Sequence, residues 1–174
     1  MTAAATEFQL EDFFTGRSRA WGIFQDRFGN LRQQFVVEIE GTWDANRNKL
    51  TLTEDFTYAD GTAEQRIWYV TKHSAGHYEG ETPGIVGKAE IRAHGSAVNL
   101  RYRLQVPIGA RNWTLSFDDW MFRQDETVVL NRVHVRKWGI LIGSVTICFN
   151  RHTAASGSDP DIAHHNKAAP KARA

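Results

Sequence analysis

Apolar and polar residues alternate with a period of two along ten successive segments between Ala20 and His152, and short turn-forming stretches separate them. No helix-length apolar stripe interrupts the series. Alternation of this kind gives each strand one dry and one wet face, and strands that follow one another through short turns close into a single antiparallel up-and-down barrel of about eight to ten strands. Residues 98–106 are the clearest strand: Val98, Leu100, Tyr102, Leu104 and Val106 fall on one face, with Asn99, Arg101, Arg103 and Gln105 on the other. A first strand over 20–26 turns at Phe28-Gly29-Asn30 into 31–41, where Phe35, Val37 and Ile39 share a face. Leu50 and Leu52 oppose Thr51 and Thr53 within 50–58. Asp60-Gly61 then predicts a two-residue hairpin turn, both of whose positions must tolerate positive φ, into a strand over 64–72. Shorter strands are predicted over 77–81 and 85–93, and longer ones over 127–136 and 140–150 around a turn at Trp138-Gly139.

The eighth segment breaks the alternation. Trp113, Leu115 and Phe117 keep one parity, whereas Trp120 and Phe122 fall on the other, so a bulge near Asp118-Asp119 is expected to bring both back to the inward face. At the start of the chain, Thr6 followed by Gln9 has the form of a capping box, and Leu10, Phe13 and Phe14 supply an apolar side. A short helix over 7–13, plugging one end of the barrel, follows. Beyond His152 the composition turns to Ala, Ser, Gly, Pro and isolated charges, which predicts a barrel domain over 1–152 and a disordered tail over 153–174.

Composition narrows the partners. The 21 Lys and Arg balance 20 Asp and Glu without a basic stripe, so nucleic acid is not an expected partner. Cys148 is the single cysteine, which rules out an intrachain disulfide or a thiolate metal cluster from this chain, favours a reducing compartment, and lies in an apolar strand where its thiol is inert. No stretch approaches the roughly 18 apolar residues of a membrane span, and residues 1–10 do not resemble a secretory signal. A cytoplasmic protein is expected, or an exported one whose signal has been removed.

A barrel of this size has room for a small hydrophobic or amphipathic ligand, so the interior is the expected site. Tyr58, Trp68, Tyr102 and Trp120 are candidate wall residues, and Arg66, Asp118 and Asp119 candidate polar anchors. Adjacent carboxylates in an otherwise apolar strand are unusual, because a buried one must be paired or protonated. Arg27, Arg66, Arg132 and Lys137 are candidate partners. Asp55, Asp118 and Asp119 could alternatively serve as acid and base toward a lipid-like substrate, while Glu54 reads as part of a solvated face. Among the seven histidines, His134 and His152 lie in predicted strands, and a haem barrel with one proximal histidine is a further alternative. The six tryptophans either line a cavity or fill it. No GxSxG, HExxH or phosphate loop occurs, so no complete catalytic or metal site and no cofactor is predicted.

Phe14-Thr15-Gly16 and Trp21-Gly22 resemble the glycine-and-tryptophan opening of lipocalin-like barrels, in which the indole packs across the barrel floor against a basic side chain. That likeness implies stacking of Arg136 or Arg151 on Trp21; otherwise Trp21 is simply core. More broadly, the chain resembles a bacterial family of unknown function whose members are labelled lipoproteins. The resemblance rests on residues 21–29 (WGIFQDRFG), 39–43 (IEGTW), 52–56 (LTEDF) with Tyr58, Asp60-Gly61, Arg66-Ile67-Trp68, 117–121 (FDDWM), Asn131-Arg132 and Lys137-Trp138-Gly139. Members often carry a lipidated cysteine near the start; this chain has none before Cys148. The family's association with genes of lipid modification, including cyclopropane fatty-acid synthesis, implies an acyl chain as guest.

Overall fold

Residues 7–152 are described by a computed structural model. A helix, α1 (Leu10–Phe14), precedes ten strands: β1 (Gly16–Asp26), β2 (Leu31–Asp44), β3 (Lys49–Tyr58), β4 (Ala63–Ser74), β5 (His77–Glu81), β6 (Ala89–His94), β7 (Ala97–Ile108), β8 (Arg111–Arg123), β9 (Val128–Lys137) and β10 (Ile140–Arg151). Each strand pairs antiparallel with its sequence neighbour, and β1 pairs with β10 from Ser18↔Arg151 to Asp26↔Gly143, closing the barrel. The predicted all-β, closed up-and-down barrel is therefore the observed architecture.

Several boundaries differ from expectation for identifiable reasons. The helix begins at Leu10, capped by Gln9 without a side-chain hydrogen bond; Thr6, the proposed capping residue, lies outside the described residues. Residues 85–93 form a strand only from Ala89, with Ile85 making an isolated bridge to Leu104. The Asp60-Gly61 turn is longer than two residues. Gly61 alone takes positive φ (86°), and Asp60 uses its carboxylate to accept from Thr62 N (2.9 Å). The bulge expected at Asp118-Asp119 is absent, because β8 pairs in unbroken register with both β7 and β9. The proposed tail, 153–174, lies outside the described residues.

The two poles of the barrel differ. α1 fills the pole at which β1 begins and β10 ends: Phe8, Leu10, Phe13 and Phe14 are buried, and Phe14 meets Phe149 edge-on at 5.4 Å. Burying each such side chain contributes roughly 1.5–3 kcal/mol. Gly41 makes this seat available, since a Cβ there would lie 1.8 Å from the Phe14 carbonyl oxygen. Glu11 fastens the plug from inside. It pairs with Lys72 and accepts from Tyr78 Oη at 2.8 Å. Burial works to raise the Glu11 pKa, but the hydrogen bonds from Lys72 and Tyr78 overcome it and hold the carboxylate below its ordinary value.

Removing one member of a buried pair strands the other. Glu11→Gln is expected to lower the unfolding free energy by about 2–4 kcal/mol, and Glu11→Gln with Lys72→Met by less, measured by urea denaturation.

Candidate functional site

The inward face of the unplugged half carries a graded, partly polar lining. Down β4, side-chain exposure is 44% at Glu64 and 32% at Arg66, and residue exposure falls to 8% at Trp68 and 3% at Val70. Along β4, inward-facing residues thus lose contact with water at about Trp68, whereas on β7, β8 and β9 Leu104, Leu115, Val133 and Val135 are buried within the same half. On β3 the inward series Leu50, Leu52, Glu54, Phe56 and Tyr58 follows the same gradient, with the two leucines buried and the last three accessible. Two separate apolar clusters pack within the barrel, one around the plug with Phe35, Phe56 and Tyr102 against it, and one built on Leu115, Val133 and Val135 with Phe117 against it.

Aromatic rings make the walls. Phe35 packs against Phe56 (5.7 Å) and Tyr58 (5.9 Å), and its ring occupies the place that a side chain at Gly22 would need. Trp68 meets Tyr102 edge-on at 5.3 Å, and Tyr102 stacks on Phe117 at 4.9 Å. Tyr58 Oη donates to Glu64 Oε1 at 2.9 Å, Arg66 pairs with the same carboxylate at 3.2 Å, and its guanidinium lies 5.6 Å from the Phe56 ring centre. Burial, reinforced at Tyr58 by Glu64, pushes both Tyr58 and Tyr102 above the ordinary phenol range.

Two carboxyl groups stand inside this wall. Glu54 is paired in register with Arg66, and Asp119 accepts a hydrogen bond from Asn131 Nδ2. Desolvation raises the pKa of each to about 7; at Glu54 the attraction of Arg66 opposes it and the charges of Asp119 and Glu64 add to it, while at Asp119 the Asn131 hydrogen bond opposes it and Asp118 adds to it. Each is therefore poised between a proton donor and an anion near neutral pH.

The anticipated site residues separate accordingly. Tyr58, Arg66, Trp68, Tyr102 and Asp119 come together inside the barrel, whereas Asp118 and Trp120 do not. With β8 unbulged, Asp118 faces outward, where it accepts from Asn99 Nδ2 at 2.8 Å and faces Arg101 Nε at 3.7 Å. Trp120 stacks on the exposed Phe122 at 6.1 Å on the outer wall. Asp55 also points out, accepting from Gln65 at 2.8 Å. Glu54 takes the interior place instead, a position already implied by its shared parity with Leu50 and Leu52. Trp21 is 47% exposed with Arg19, not Arg136 or Arg151, 5.5 Å from its ring; the register turns Ala20 and Gly22 inward and the indole out. A groove of about 750 Å³ runs along this outer wall beside Trp21, Val36 and Leu130.

His73, His77, His94 and His134 all alternate with inward-facing neighbours and so point away from the interior, and His152 is exposed beyond β10. The haem reading thereby loses its proximal ligand among the described residues. No group of three or more His, Cys, Asp or Glu among these residues is arranged to hold a metal ion, and no helix among them is long and apolar enough to cross a membrane.

Because folded Glu54 and Asp119 bind protons more tightly than ordinary carboxyls, the folded state gains protons between about pH 4 and 7, and their contribution to stability is lost as pH rises through that window. Glu54→Gln is expected to exceed the parent chain in stability by on the order of 2 kcal/mol near pH 8, allowing for its partial solvation, with little difference near pH 5, as read from thermal unfolding across pH.

The chain belongs to a family described as "Protein of unknown function (DUF3833)", whose model matches residues 1–151. No curated protein matches it in sequence. Among solved structures it is similar to an S-type phycobiliprotein lyase from Guillardia theta, with a TM-score of 0.61 at 9% identity over 84% of this chain and 94% of that one. It is also similar to a DUF3598-family protein of unknown function from Nostoc punctiforme, with a TM-score of 0.59 at 10% identity over 84% of this chain and half (50%) of that one. These likenesses show a shared lipocalin-like barrel.

Proposed function

From a family membership that leaves the guest unnamed, we propose that this chain binds a small amphipathic molecule of fatty-acyl type inside the open half of its barrel. The observation that carries this reading is the interior gradient, accessible and aromatic at Phe35, Phe56, Tyr58 and Tyr102 and closed at Trp68. An apolar chain would lie against the rings, and its carboxylate would meet Arg66. Protonated Glu54, beside Arg66, would donate a second hydrogen bond to that head group. That a phycobiliprotein lyase has a similar fold is support by analogy of architecture alone.

The test is titration with cis-parinaric acid, a fluorescent fatty acid, together with native mass spectrometry of the purified chain. Binding is expected, weakened roughly tenfold or more by Arg66→Gln, and weakening as pH rises through about 7, when Glu54 and Asp119 become anions. Glu54→Gln should reduce that pH dependence, and Glu54→Gln with Asp119→Asn should flatten it. Absence of binding, or binding indifferent to Arg66, would refute the reading.

Two interior carboxyls near neutrality also favour a second reading, acid and base chemistry on an acyl substrate by Glu54 and Asp119. Hydrolysis of acyl esters that disappears in Asp119→Asn while the fatty-acid probe still binds would establish it; unchanged hydrolysis in that variant removes it.

A further inference from the structure

At the unplugged end, the β1–β2, β9–β10 and β7–β8 turns adjoin one another round the barrel. They bear most of the large apolar side chains that remain exposed: Phe28 at 74% and Trp138 at 86%, with Leu31, Ile108 and Ile140 beside them. None of these packs in either core cluster. Trp138 moreover sits at φ 50°, a region bulky residues rarely adopt, so its turn holds an indole out into solvent against its backbone preference.

The same turns are strongly cationic. Residues 26–32, 107–111 and 136–141 contain Arg27, Arg32, Arg111, Arg136 and Lys137 against one carboxylate, Asp26. That carboxylate is already occupied, accepting from Phe28 N at 3.0 Å and Arg32 Nε at 2.8 Å. The other turns of this end differ: 59–62 carries Asp60 and no large apolar residue, and Ile85 and Val86 of the β5–β6 connection are half-buried.

We propose that this three-turn rim docks on an anionic lipid surface, with Phe28 and Trp138 at the interface and the exposed Arg27 and Arg111 against the head groups. Apolar side chains on separate projecting turns suit a deformable surface better than a rigid protein face, tryptophan favours the membrane–water boundary, and clustered cations without free carboxylates match negative head groups. The inference stands independently of any guest in the barrel.

The experiment is co-sedimentation of the full chain with phosphatidylglycerol vesicles and, separately, phosphatidylcholine vesicles. Binding to phosphatidylglycerol is expected, with weaker binding to phosphatidylcholine and a blue shift of Trp138 emission that Trp138→Phe removes. Phe28→Ser with Trp138→Ser, and Arg27→Glu with Arg111→Glu, should each weaken binding about tenfold. All four residues are exposed, so thermal unfolding should show these variants folded. Phe122→Ser, an exposed residue on the outer wall near the plug, should bind as the parent does. No binding to phosphatidylglycerol, binding unchanged in the rim variants, or an equal loss in Phe122→Ser would overturn the proposal, and none of these outcomes bears on binding of the fatty-acid probe.

Discussion

Pairing of β1 with β10 is the constraint on which the remaining geometry rests. Once the sheet has no free edge, every strand residue is committed to inside or outside, and a slip of one residue anywhere would transpose a whole strand. Nine successive partners, from Ser18↔Arg151 to Asp26↔Gly143, hold that seam. The barrel tolerates register shifts elsewhere, at Phe24/Gln25 in β1–β2, Leu141/Gly143 in β9–β10 and Lys72/Ser74 in β4–β5. None occurs in β8, and so Asp119 is carried inside.

An ionisable group that is carried inside must be accommodated, and the barrel does so in two ways. Near the plug, Glu11 keeps its charge because Lys72 and Tyr78 surround it. In the open half, Glu54 and Asp119 have fewer compensating partners, and desolvation prevails. The first carboxyl is held by an ion pair and a phenol, the other two by burial with little to oppose it, and the difference lies in what each carboxyl touches.

Much of the architecture was legible in the chain. Period-two alternation marks ten strands, and the phenylalanines near the start mark a plug, because both are local signals that the barrel only amplifies. The site was half legible. Tyr58, Arg66, Trp68, Tyr102 and Asp119 lie where their parity puts them, but Trp120 was drawn inward by the assumption that a tryptophan in an apolar strand must be buried. In the structure that assumption fails because the ladder stays regular and the outer wall accepts a Trp120–Phe122 stack. Glu54 was obscured for the opposite reason: a charged residue reads as solvated unless its parity with Leu50 and Leu52 outweighs its chemistry. Pairings across the barrel, such as Asp119 with Asn131, depend on three-dimensional closure and leave no local mark.

Both described ends of the chain lie at the same pole. α1 plugs the barrel there, and His152 N donates to the Arg17 carbonyl at 3.0 Å beside it. The first and last described residues, Glu7 and His152, therefore stand at the opposite pole from the β1–β2, β7–β8 and β9–β10 turns.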